Sequence, residues 1–184
     1  VIAILIFLMW LTPCAALMAF IEYVLHRWPM HSGRLANKYP VFWKTFEAHG
    51  ILHHGRYFKR FDYEPDRAAY HFNIIIEPGY ALLGLSPLWG VLMLLSFPAG
   101  LAMAAVVLMH SLVWSGIHSE MHMPEKRWFW DTAYYKYARD YHHTHHVHPG
   151  SNFCVVFPPF MDMLFGTYRA PTTPPCSQPP VGWY

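Results

Sequence analysis

Between residues 3 and 25 only Thr12, Glu22 and Tyr23 interrupt a run of apolar side chains. A helix needs about 20 such residues to cross a hydrocarbon core, so this run predicts a membrane span. A turn at Thr12-Pro13 is the alternative, but it would leave too few residues before His26 to cross. One kinked span is the reading adopted. A secretory leader is the other alternative, and the run lacks both a basic start and a small-residue cleavage site. Residue 1 is a valine inside the apolar run, so the natural chain is expected to continue upstream and to include a partner span.

Two more apolar stretches follow, at about 79–97 and 99–119, separated by "FPAG", whose proline and glycine favour a turn. Spans so close together must form a hairpin that returns the chain to the side it left. The composition, 54% hydrophobic and 13% charged, suits a small membrane protein better than a soluble domain. All 13 Lys and Arg residues lie in 27–67 or 126–169 and none in the hairpin turn. By the positive-inside rule those segments face the cytoplasm. The expected architecture is an all-α integral membrane protein made of one unit, residues 1–184. About three helices span, with a fourth upstream, beneath a cytoplasmic helical cap at 26–76 and 120–170. A proline-rich tail, 171–184, is expected to lie extended over the surface.

The cap segments hold an unusual density of histidine. "DYHHTHHVHPGSNF" starts at Asp140, and a helix over 124–146 would place His142, His145 and His146 on one face, with His143 pointing elsewhere. The cluster is internal and interrupted, unlike a purification tag. Three other clusters match it: His26 and His31 in "HRWPMH", His49, His53 and His54 in "HGILHH", and His118 and His122 in "HSEMH". The last pair and His49/His53 have i, i+4 spacing, which lets two imidazoles converge on one ion. His26 and His31 are too far apart round a regular helix, so Pro29 is expected to break the helix and return His31 toward His26. The span topology puts all four clusters on one side of the membrane.

Ten convergent imidazoles suit Zn, Cu, Fe or Ni rather than Ca or Mg, and ten ligands suffice for two ions with positions left open. Soluble carboxylate-bridged di-iron bundles use Glu-x-x-His, which does not occur in this chain. Cys14, Cys154 and Cys176 form no even framework, so neither a disulfide nor a thiolate ligand is expected. The dispersed basic residues resemble no nucleic-acid footprint.

The series HX4H, HX3HH, HX3H and HX2HH, with spans between the second and third boxes, resembles the fatty acid hydroxylase and sterol desaturase superfamily. "EYVLHRWPMH" is similar to the opening motif of the fatty acid 2-hydroxylase branch. "NFCVVFPPFMDMLFGTY" is similar to the superfamily's closing segment. The likeness runs from about Glu22 to Tyr168. The second box is HX3HH where that branch commonly has HX2HH, and Cys154 stands where the family has glycine. The resemblance implies two iron ions, with zinc as a replacement in purified protein, held by His26, His31, His49, His53, His54, His118, His122, His142, His145 and His146. It implies O2-dependent hydroxylation of a fatty acyl or related lipid chain. A desaturase or a carotenoid or sterol hydroxylase with the same metal site is the alternative, and a non-enzymatic metal-binding or transport protein is the remote one. The resemblance implies electrons from a separate ferredoxin or haem protein.

Around the boxes, Glu22 lies one turn from His26 and is expected to accept its other ring N–H, with an ion pair to Arg27 as the alternative. Asp140 is placed to orient a fourth-box histidine or to be a plain surface charge. Asn152 is placed to cap a turn or to serve the metal site. His110, in mid-span, is read as a hydrogen-bonded structural residue, with a place on the substrate path as the alternative. His71, His143 and His148 are read as interfacial, with His148 as the substitute ligand. Trp10, Trp89 and Trp114 are read as packing or interface residues before channel walls. "KRWFWDTAYYKYARDY" is expected to form an amphipathic helix at the membrane surface.

Overall fold

The computed structural model describes residues 2–59, 61 and 75–174, and every regular element among them is helical. The first run forms one unbroken helix, α1 (Ile2–Leu25), with Pro13 inside it. It continues into a π-helical turn, His26–Met30. Pro29 lies in that turn. A proline ring clashes with the carbonyl four residues back and has no N–H to give it, a conflict that wider winding relieves. The i→i+5 bonding gives about 4.4 residues per turn, so residues five apart lie roughly 50° apart round the axis. His26 and His31 therefore share a face, with ring centroids 5.1 Å apart. Their convergence comes from widening the helix, where the sequence suggested a break.

After His31 come α2 (Gly33–Lys38), a 3-10 turn (Pro40–Phe42), α3 (Trp43–Phe46) and an eleven-residue π-helix, Glu47–Tyr57. The Ser32 hydroxyl caps α2 by accepting the Leu35 N–H. His71 and Cys176 lie outside the described residues, as does the tail beyond Thr173 and Pro174.

The second apolar stretch is a broken helix, α4 (Pro78–Gly84) and α5 (Ser86–Leu95), bent by 60°. Pro87 stands at the start of α5 and disfavours helical backbone before it. The carbonyls freed by the break are answered locally, Leu83 by the Ser86 hydroxyl at 2.7 Å and Leu82 by the Trp89 indole N–H at 2.9 Å, as an apolar solvent demands. The third stretch, α6 (Phe97–His122), starts two residues earlier and ends three later than expected. Only Ser96 separates it from α5, and "FPAG" is its first turn, where proline's missing N–H costs nothing.

α6 is the central helix and packs along both α1 and α5. Cys14, Met18, Ala102, Met103 and Val107 form the core between them, with Trp10 and Trp89 packed against it. Ile4, Leu5, Leu8 and Met9 on α1, like Leu94, Leu95 and Met109, are exposed, as lipid-facing side chains should be. Among the described residues two helices are long and apolar enough to cross a membrane, three if the bent pair counts as one span. At Gly100 a β-carbon would lie 2.4–2.5 Å from the Cα, Cβ and N of Met93. Gly100→Leu is therefore expected to force the hairpin apart, at a cost of about 1–3 kcal/mol from overpacking. A fall in the thermal midpoint in detergent checks it, and an unchanged midpoint would refute the close approach.

The predicted helix over 124–146 is shorter than expected. Residues 123–132 form a connection, and α7 (Ala133–Val147) begins at the Thr132 cap, whose hydroxyl accepts the Tyr135 N–H. Buried Glu120 holds the connection by accepting the N–H groups of Glu125 and Arg127. The aromatic stretch expected as one amphipathic helix is thus half loop and half α7. A last short helix, α8 (Phe160–Leu164), packs on α1.

Candidate metal centre

All ten box histidines meet at one end of α1 and α6. Among the described residues three groupings could each hold a metal ion: His26, His31, His49, His54 and His145; His53, His118, His122 and His142; and His53, His54 and His146. His118 and His122 project from α6, and His142, His145 and His146 from α7, at ordinary helical spacing. The second box uses π winding, which places His53 and His54 on either side of His49, each within roughly 50° of it. That winding accommodates the extra residue of HX3HH. Gly50 permits it, because a β-carbon there would lie 2.9 Å from the Met30 carbonyl oxygen.

The rings meet through Nε2. In the first group His26–His49, His49–His54, His54–His145 and His145–His31 have Nε2 separations of 2.9, 3.2, 3.1 and 3.0 Å. In the second, His142 Nε2 faces His118 and His122 at 3.0–3.1 Å, and His146 of the third faces both His142 and His53 at 3.1 Å. A neutral imidazole nitrogen cannot satisfy three others at once. Ligands about 2.0–2.1 Å from a shared cation stand roughly 2.9–3.4 Å apart, so these spacings fit nitrogens arranged round metal ions.

The opposite ring nitrogens support that fit. His26 Nδ1 lies 2.6 Å from the Phe153 carbonyl, His145 Nδ1 2.6 Å from that of Ser151, and His146 Nδ1 2.8 Å from that of Phe58. A carbonyl only accepts, so each Nδ1 carries the proton and leaves Nε2 a free lone pair. Burial holds the cap rings His31, His49, His53, His54, His142 and His146 well below the usual imidazole range, with neighbouring histidines adding to it. His145 is brought to about 4, again chiefly by burial. The rings are thus neutral and ready to ligate near pH 7.

These shifts make stability depend on pH. Between the unfolded value of 6.5 and a folded value of about 4, the unfolded chain binds more protons, so stability rises with pH across that window. Chelator-treated protein is expected to be fully stable above pH 6.5 and to lose stability progressively toward pH 4. Thermal unfolding across that range checks it; a flat profile would contradict the buried neutral rings.

The residues expected to support the ligands have different partners. Glu22 does not reach His26, whose Nδ1 is already bonded to Phe153. Its Oε1 accepts the N–H groups of Val155 and Val156 at 2.6 and 2.9 Å, and Oε2 lies 3.3 Å from His110 Nε2. Asp140 pairs with Arg139 and accepts from the Thr173 hydroxyl, so its carboxylate turns toward the tail and away from the box rings. Asn152, at φ 57°, donates to the Tyr141 and Arg169 carbonyls and accepts the Arg169 N–H. It shapes the turn between the two carbonyls that hold His145 and His26. His143 is buried and bonds Thr172, and His148 is exposed and outside the groupings.

Asp162 has a role that residue spacing does not announce. Buried completely, it accepts from Phe153 N, Cys154 N, the Tyr141 phenol and the Thr167 hydroxyl at 2.7–2.9 Å. Burial, with Asp162 beside it, pushes the Tyr141 phenol far up, so it remains a donor. The closing motif contains this aspartate, but only the folded loop shows what it holds. Cys14 and Cys154 are free and buried in different clusters.

An apolar cavity of about 360 Å³ opens beside the centre, with His26 and Trp114 at its metal end and Met18, Leu85 and Val107 deeper between the helices. Trp114 stands 5.6 Å from His26 and 5.2 Å from His118 by ring centroid. It is therefore a cavity wall, while Trp10 and Trp89 pack in the core.

The fatty acid hydroxylase family model matches residues 11–167. No curated protein and no solved structure matches the chain. The matched segment spans most of the sequence and contains every box histidine, the loop that orients them and both buried carboxylates behind that loop, and on this match the chain belongs to the fatty acid hydroxylase family.

Proposed function

We propose that the protein is an O2-dependent di-iron oxygenase that hydroxylates a C–H bond of a fatty acyl or related lipid chain. The observation that carries this reading is the ten-imidazole centre opening onto an apolar cavity among membrane-spanning helices. The family is one of membrane-associated oxidoreductases that use metals, and a nitrogen-only ligand set suits iron, with zinc as its substitute. His26, His31, His49, His54 and His145 would hold one ion and His53, His118, His122 and His142 the other, with His146 between them. Iron held there would supply the activation of O2 needed to attack an unactivated C–H bond. The chain's own part is to orient Nε2 through the Ser151, Phe153 and Phe58 carbonyls, exclude water, and line the cavity that holds the lipid chain. Electrons would come from a separate ferredoxin or haem protein at the cap, where Arg34, Lys38, Lys44 and Arg56 are exposed. The same basic residues support a cytoplasmic cap.

The test is anaerobic reconstitution with ferrous iron and elemental analysis, followed by O2, a reductant system and a lipid extract. Two irons per chain and a lipid heavier by one oxygen atom are expected. A product lighter by two hydrogens would move the reading to desaturation. One metal or none would end the dinuclear assignment.

A further inference from the structure

One buried polar pair is not used by the metal centre. Glu22 and His110 are 3% and 6% exposed and both line the cavity beside His26. Their Oε2 and Nε2 atoms stand at ion-pair distance, 3.3 Å, yet neither makes a hydrogen bond. The distance alone suggests a closed pair, but the angles leave both atoms with unmet bonding capacity. Glu22 cannot turn away, because its other oxygen holds the Val155 and Val156 N–H groups. The His110 ring is stacked on Phe157 at 5.6 Å. Unmet polar atoms at membrane depth are costly, and these face a cavity walled by Met18, Leu85 and Val107. Glu22 lies four residues below His26 on α1, about 6 Å along the axis, close under the metal site.

We propose that Glu22 and His110 form a binding point for a hydroxyl group on the lipid chain, so that the substrate is a lipid already carrying an oxygen near the reacting carbon. The hydroxyl donates to Glu22 Oε2 and accepts from His110 Nε2–H, meeting both needs with one group. A lipid hydroxyl and a trapped water share this chemistry, but only the lipid gives selectivity among chains. The inference rests on the cavity holding the lipid, as in the function proposed above.

The test uses the full chain in detergent and displacement of a fluorescent fatty acid by octadecanoate or by octadecanoates carrying one hydroxyl at different chain positions. One hydroxyl position should bind about tenfold more tightly than the unsubstituted chain, the worth of one added hydrogen bond to a charged group. His110→Phe keeps the stacked ring and should abolish the preference while octadecanoate still binds. His110→Gln keeps an N–H donor and should retain part of it. Equal binding of all chains by the wild type, or a preference that survives His110→Phe, overturns the polar site and leaves the lipid cavity standing. The wild-type comparison decides alone if the variants do not fold. Displacement by none of the chains overturns both readings.

Discussion

Asp162→Asn is expected to cost the protein its metal affinity although the Asp162 carboxylate bonds no box histidine. The carboxylate accepts four hydrogen bonds, two on each oxygen. An asparagine turns one oxygen into an N–H2 group, which then faces two donors. Two hydrogen bonds to a charged group are lost, each worth about 1.5–3 kcal/mol. The loop thus released carries the Ser151 and Phe153 carbonyls that hold the Nδ1 atoms of His145 and His26. Both rings lose their orientation and their enforced tautomer, and loss of such support lowers metal affinity about 10–100-fold. Metal titration beside thermal unfolding separates the effects. A lower thermal midpoint with unchanged metal affinity would show that Asp162 only stabilises the fold.

His53→Ala should have the larger effect on the centre itself. His53 belongs to two of the three groupings, and its Nε2 faces His146 Nε2 at 3.1 Å. In the proposed centre, removing it would take a ligand from one ion and loosen the contact between the two groupings. Metal content is expected to fall below two per chain and turnover by more than about 100-fold, exceeding the loss from a supporting residue. His143→Ala is the matched control, since that ring bonds Thr172 and lies outside every grouping. Equal losses from both substitutions would mean that bulk histidine content, and not this geometry, binds the metal.

How far the sequence reached can be judged box by box. The third and fourth boxes were legible because an α-helix of period 3.6 brings i, i+3 and i+4 together, and both boxes lie on such helices. The first box and His54 of the second were not, since a spacing of five shares a face only under π winding, and no residue pattern in "HRWPMH" or "HGILHH" states that winding. Proline opposes the α-helix, so Pro29 predicts a break, whereas in the folded chain the wider turn accommodates it. The hairpin was legible from hydropathy, but its turn was displaced, because Pro98 and Gly100 begin α6 and Ser96 alone reverses the chain. Glu22 is buried, and its carboxylate accepts the distant Val155 and Val156 N–H groups where the local spacing pointed to His26.

Hydropathy and helical spacing are local properties written residue by residue, and they suffice for the long apolar helices, their hairpin, the histidine boxes and the family. Which atom supports which ring is settled only by packing. His26 is held by a carbonyl 127 positions away, and Glu22 reaches a loop 133 positions away. Every residue but proline offers the same backbone N–H and carbonyl, so nothing in residue identity marks Ser151, Phe153 or Phe58 as the ones that orient the ligands. Packing α1, α6 and α7 together makes that choice, and it also leaves Glu22 and His110 facing the cavity with bonds unmade.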